Sequence, residues 1–154
     1  MPLDALDRRL LAALQRDNQQ TADRIGAEIG LSPTAVLRRT RRLRAEGLIK
    51  ADTAVLDSRA LGFGLTCIVE VSLQRETAEI IETFRRQTLA IPQIQQCYYV
   101  TGEADFVLVI LSRDMADFEN LTNDMFLNNP LVRQFRTSVV LTTLKASLAV
   151  PVEV

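Results

Sequence analysis

Leu31-Ser32-Pro33-Thr34-Ala35-Val36-Leu37-Arg38-Arg39-Thr40-Arg41-Arg42-Leu43-Arg44-Ala45-Glu46-Gly47 is a helix written with its own start and stop. Ser32 suits the capping position, where its hydroxyl accepts an otherwise orphaned backbone N–H. Pro33 suits the first helical position, because its missing N–H costs nothing there. Gly47 stops the run, so the spacing predicts a helix over residues 33–45. Val36, Thr40 and Leu43 recur at helical spacing and form its inner stripe, with Leu37 at the margin. Its other side carries Arg38, Arg39, Arg41, Arg42 and Arg44 within seven residues, while Glu46 is the sole acid between Leu31 and Lys50.

Upstream, Ala22, Ile25 and Ile29 share one face of a helix predicted over residues 21–29, and Gly30 fits the left-handed position after its end. Leu6, Leu10, Ala13 and Leu14 mark an earlier amphipathic helix over 4–16, with Asp4 as N-cap or first-turn acid and Asp17-Asn18 as its end. Helix, short turn and serine-capped helix make a helix-turn-helix, whose second helix meets base edges in the major groove. Arginine suits that position, since its planar fork grips guanine edges or phosphate with two hydrogen bonds. Ser32, Thr34, Ala35, Arg38, Arg39 and Arg42 are therefore the candidate contacts to double-stranded DNA. A merely solvated helical face is the bland alternative. The nearly unopposed charge speaks against it, and guanidinium groups turned inward or neutralised by carboxylates would speak for it.

The charge is distributed unevenly along the 154 residues. Residues 1–50 carry ten basic and six acidic side chains, a net +4, whereas the remainder is net −5; the whole-chain value of −1 conceals this. A basic front on an acidic body is the pattern of a polyanion-binding module joined to something else. Hydrophobic residues at 47% and charged residues at 24% place the chain among ordinary globular proteins. Histidine is absent and cysteine occurs twice, which excludes histidine metal sites, Ser-His-Asp triads and Cys-His pairs. No catalytic residue, metal ligand or cofactor is assigned, and no enzyme is expected. No apolar run reaches the roughly 18 residues of a membrane span, and the first residues lack a basic stretch followed by an apolar one. The expectation is a cytoplasmic protein with no membrane partner.

Residues 48–52 and 54–57 read as short extended segments, a wing or a hinge strand behind the helices. Turn chemistry at Asp57-Ser58-Arg59-Ala60-Leu61-Gly62-Phe63-Gly64 marks a boundary. The expected organisation is a helix-turn-helix domain over 1–50, a wing or hinge linker over 51–64, and a second domain over 65–154.

In that second part, Cys67, Val69, Val71 and Leu73 alternate with Glu70 and Ser72, as in a strand over 65–73. A helix follows over 76–91, with Ile80, Ile81, Phe84 and Thr88 inward, then strands over 94–100 and 105–111 joined by Thr101-Gly102-Glu103-Ala104. A helix over 115–128, with Met115, Phe118, Leu121, Met125 and Phe126 on its apolar side, leads to a long strand over 132–144. The fold class is α+β: an N-terminal winged helix-turn-helix and a C-terminal ferredoxin-like βαββαβ domain. Phe106-Val107-Leu108-Val109-Ile110-Leu111 does not alternate, so both faces of that strand should be buried. Helices cover one face only, and a second copy of the sheet is the simplest cover for the other, hence an expected homodimer. Cys67 and Cys97 fall on strands that a third separates in this topology, too far apart for a disulfide.

Asp4-x-x-Asp7-x-x-Leu10-Leu11-x-x-Leu14-Gln15-x-Asp17, Leu31-Ser32-Pro33-Thr34, Arg39-x-x-Arg42-Leu43-x-x-Glu46-Gly47-x-Ile49 and Thr101-Gly102-x-x-Asp105 together resemble the Lrp/AsnC (feast/famine) transcription regulators along essentially the whole chain. Thr40 departs from the aliphatic residue usual there. The resemblance implies a DNA-binding domain, an amino-acid-sensing domain, and dimers of a kind that often assemble into octameric discs; the sequence leaves tetramer and octamer open. It also implies an effector site at the second hairpin: Val100, Thr101, Gly102, Glu103 and Asp105, with Thr137 on the last strand. The chemistry suits a zwitterion, with backbone N–H groups for its carboxylate and an acidic side chain for its ammonium. A plain turn, with Gly102 supplying positive φ and Asp105 bonding backbone, explains the same residues. The expected function is a sequence-specific transcription regulator modulated by a small amino acid. The alternatives are an architectural DNA-binding protein of the same shape without an effector, and an enzyme built on the second domain.

Overall fold

The computed structural model describes residues 2–152. They pack into two units, residues 2–55 with 145–152, and residues 56–144, each with its own apolar core.

The first unit holds three helices, α1 (Ala5–Arg16), α2 (Ala22–Ile29) and α3 (Pro33–Ala45), around Leu10, Ala13, Ile25, Ile29, Val36 and Leu43. Asp4 caps α1 reciprocally with Asp7: each carboxylate accepts the other's backbone N–H. Thr21 and Ser32 cap α2 and α3, and Gly30 closes α2 at φ 79°. The sequence also anticipated a wing, and here it is corrected: residues 48–57 form no strand. Ile49 packs on the helical core, but Val55 is 98% exposed and no neighbouring strand offers its backbone a ladder. Residues 145–152, placed with the second domain on sequence grounds, group with the first unit. There the Gln15 amide donates to the Val150 carbonyl (2.9 Å) and accepts from the Val150 N–H (2.6 Å), in a groove lined by Ala12, Ile29 and Val152.

The second unit runs β1 (Leu65–Leu73), α4 (Ala78–Leu89), β2 (Ile94–Tyr99), β3 (Phe106–Ser112), α5 (Met115–Thr122), a π-helical turn (Asn123–Leu127) and β4 (Val132–Val139). The sheet order is β2-β3-β1-β4, antiparallel throughout, the ferredoxin-like arrangement. Cys67, Val69 and Val71 of β1 and Phe106, Leu108 and Ile110 of β3 face Phe84 of α4, Phe118 of α5 and Met125 and Phe126 of the π turn. Burial of β3 on both faces is met in the single chain on this side only; Val107, Val109 and Leu111 on the other are half-buried. The helix expected over 115–128 is α-helical only to Thr122, and Asn128 N–H then reaches back five residues to the Asn123 carbonyl at 2.9 Å. Met115, expected on the apolar side, is 49% exposed, because it opens α5 directly after the capping Asp114. β4 stops at Val139 rather than 144: its partner β1 begins at Leu65, and Val140 N–H to the Thr66 carbonyl is the last rung. Cys67 pairs across with Ile110 and Cys97 with Leu108, so β3 separates the two thiols, and both are free. Burial pushes each thiol's pKa up.

Candidate nucleic-acid interface and ligand pocket

α3 presents three different sides. Val36, Thr40 and Leu43 are buried against α1 and α2. Ser32, Thr34, Leu37, Arg38, Arg41 and Arg44 are exposed, and Ala35 is half-buried. The Ser32 hydroxyl oxygen accepts the Ala35 N–H at 3.3 Å, holding the first turn. Arg38 and Arg41 enter no ion pair among the described residues.

The third side corrects an expectation. The five arginines do not stand unopposed. Arg39, its side chain 20% exposed, is 2.7 Å from both Asp4 and Asp7, and Arg42 is 2.6 Å from Asp7. Arg44 pairs with Asp52 at 2.9 Å. The opposing acids lie outside residues 31–50 except Glu46, 3.9 Å from Arg42. They come from the start of α1 and from the segment after α3, which no count along the α3 sequence reveals. Asp7 is 1% exposed. Burial works to raise its pKa, but the Arg39 and Arg42 guanidinium groups and the Asp4 N–H outweigh this and hold the carboxyl below the usual range. Hydrogen bonding from Arg39 lowers Asp4 likewise.

In the second unit, Thr101-Gly102-Glu103-Ala104 turns between β2 and β3, with Gly102 at φ 137°. Val100 N–H to the Asp105 carbonyl (2.9 Å) closes the turn. Asp105 is half-buried and already occupied: its carboxylate accepts from Leu73 N–H at 2.6 Å and its own N–H donates to the Val71 carbonyl at 2.9 Å. Thr101, Gly102 and Glu103 are exposed and Val100 is half-buried. Glu103 borders a cavity of about 90 Å³ with Glu70 and Ser72 of β1 and Gln134 and Arg136 of β4. Glu70 and Arg136 face each other at 3.6 Å, and Ser72 donates to the Glu103 carbonyl at 3.3 Å. Thr137 is not brought to this cavity; it pairs with Val69, on the helix-covered side of the sheet. Glu70, Ser72, Gln134 and Arg136 were missed by sequence reasoning. The alternation of β1 marked Glu70 as outward, but its meeting with Arg136 depends on the β1–β4 register across more than sixty residues. The pocket offers carboxylates and a guanidinium within one small space, which is complementary to a zwitterion.

Comparison with known proteins agrees with this architecture. The profile of the AsnC-type helix-turn-helix domain matches residues 3–44, and that of the Lrp/AsnC ligand binding domain matches residues 66–150. An uncharacterised HTH-type transcriptional regulator, y4tD, of Sinorhizobium fredii is 41% identical over 154 residues, covering 100% of this chain and 91% of its own. The leucine-responsive regulatory protein of Escherichia coli is 34% identical over 145 residues, 94% of this chain and 88% of its own. A transcriptional regulator of Neisseria meningitidis, solved as a complex with L-Met, superposes with a TM-score of 0.92 at 28% identity, covering 97% of each chain. A serine-capped helix bearing free arginines and a ligand-domain sheet thus occur here in one chain, and that chain belongs to the Lrp/AsnC family: it is a DNA-binding transcription regulator with a ligand-binding domain, and not an enzyme.

Proposed function

We propose that this regulator is cytoplasmic and binds a specific DNA sequence as a homodimer through α3, and that a small amino acid in its second domain modulates that binding. The observation that carries the DNA reading is the outer side of α3, where Arg38 and Arg41 have no acidic partner among the described residues. Ser32, Thr34, Ala35 and Arg38 are the assigned contacts, with Arg41 added from its exposure. The amino-acid reading draws on the solved relative that holds L-Met and on the mixed charge at the Glu70–Glu103–Arg136 cavity. Of the turn residues, Glu103 lines this cavity; the exposed Thr101 and Gly102 and the half-buried Val100 precede it in the chain, and Asp105 fixes the turn by holding β1. The dimer reading draws on the uncovered half of the sheet, where Thr66, Ile68, Val107, Val109 and Leu111 lie side by side. Such dimers assemble further into tetramers or octamers.

The test is a gel-shift titration on DNA selected from a random pool, at two salt concentrations, with each of the twenty amino acids in turn. Binding that weakens steeply with salt and changes with one amino acid supports the whole reading. Binding indifferent to all twenty supports an architectural protein without an effector instead. No selection above bulk DNA overturns the DNA-contact assignment.

A further inference from the structure

Asp7 is the most deeply buried charged side chain among the described residues, and DNA binding through the outer side of α3 makes no use of it. Its Oδ1 accepts from Arg39 Nη1 at 2.7 Å and its Oδ2 lies 2.6 Å from Arg42 Nη2. Oδ2 also accepts the Asp4 N–H at 3.2 Å, while Asp4 Oδ2 takes Arg39 Nη1 at 2.7 Å. Arg42 Nε is itself buried without a hydrogen-bond partner, so the tertiary contact sets its position at some local cost. Arg39 and Arg42 are three apart on α3 and share one flank, so a single carboxylate of α1 grips two successive turns of the helix.

We propose that Asp7 is a positioning and specificity residue for DNA recognition: it locks α3 onto α1 and withholds Arg39 and Arg42 from the DNA backbone, leaving Arg38 and Arg41 as the cations that meet the duplex. The inference rests on the proposed use of α3. The argument is one of relative cost. An arginine that left Asp7 for a phosphate would leave a buried carboxylate with one of its two guanidinium partners, a larger loss than an exposed phosphate contact returns. Holding two of the five arginines back also limits sequence-independent attraction. Every additional phosphate contact strengthens binding to all DNA alike, whereas discrimination comes from the oriented groups that reach base edges.

The experiment measures the slope of log K against log salt for the full-length protein on selected DNA and on an unrelated duplex. Arg38→Ala is expected to flatten the slope by about one per recognition helix. Arg39→Gln and Arg42→Gln are expected to leave it unchanged. Asp7→Asn frees both arginines and should steepen the slope on unrelated DNA by up to about two per helix, with a lower ratio of selected to unrelated affinity. A residue of purely structural importance would lower the melting temperature and leave both slopes where they were. If Asp7→Asn does not fold, the triple variant Asp7→Asn, Arg39→Gln, Arg42→Gln, which removes the buried charge together with its partners, should bind with the wild-type slope. A slope flattened by Arg39→Gln, by Arg42→Gln or in the triple variant as it is by Arg38→Ala overturns the proposal. An Arg38→Ala variant with both the wild-type slope and the wild-type affinity for selected DNA overturns the α3 reading beneath it.

Discussion

Thr40 occupies the inner stripe of α3 where an aliphatic side chain was expected, and it is 8% exposed. Its hydroxyl donates to the Val36 carbonyl one turn back at 2.9 Å, so the buried polar atom is satisfied within the helix and the core tolerates it. Asp7 is the opposite case, a buried charge whose counter-charges, Arg39 and Arg42, are distant in sequence. A carboxyl held below its unfolded pKa adds stability at every pH above the unfolded value near 4, and loses it as the pH falls through the lower folded value. The stability difference between the wild type and Asp7→Asn is therefore expected to be about 3 kcal/mol at pH 7 and to shrink as the pH drops from 5 towards 2. Urea denaturation of both proteins across that range checks this; a difference independent of pH would mean that the carboxylate's charge is not what stabilises the first unit.

Among the elements, the α2–α3 turn is held by backbone proximity as much as by side chains. The Gly26 carbonyl accepts from both Gly30 N–H and Leu31 N–H at 2.9 Å, and a Cβ on Gly26 would sit 2.4 Å from the Leu31 carbonyl oxygen. That oxygen belongs to the turn and has little room to yield. Gly26→Ala is expected to destabilise the first unit by about 1–3 kcal/mol through forced separation of α2 from the turn, outweighing alanine's better helix propensity. A thermal melt showing a gain would refute this. Sequence periodicity located α2 and the capping Ser32, because caps and apolar spacing are local signals. It did not single out Gly26, since the constraint on it comes from a carbonyl brought close only when the turn is formed.

For the second unit taken whole, the uncovered side of the sheet is the dominant feature. Ile68 of β1 is 39% exposed and pairs with Val109 of β3, while Glu70 pairs with Val107. Ile68→Lys is expected to leave the melting temperature of the isolated fold nearly unchanged, since nothing in the single chain covers that position fully, and to shift the protein from dimer towards monomer in sedimentation equilibrium. Because a dimer presents two recognition helices, operator affinity should fall with it. A variant that remains dimeric would place the interface elsewhere.

The division between what was readable along the chain and what was not follows the range of the forces. Caps, glycine stops and the periods of apolar residues act within a few positions, so the three helices, the order of strands and helices and the ferredoxin-like topology could be laid out from the letters alone. Register, end points and charge partners are set by segments that meet only after folding. β4 ends where β1 has no more backbone to offer, residues 48–57 lack a strand to pair with, and Glu70 finds Arg136 through a sheet register. The arginines of α3 illustrate both halves: their crowding was visible as composition, whereas the pairing of Arg39 and Arg42 was decided by two aspartates more than thirty residues away, because an ion pair is a matter of distance in space.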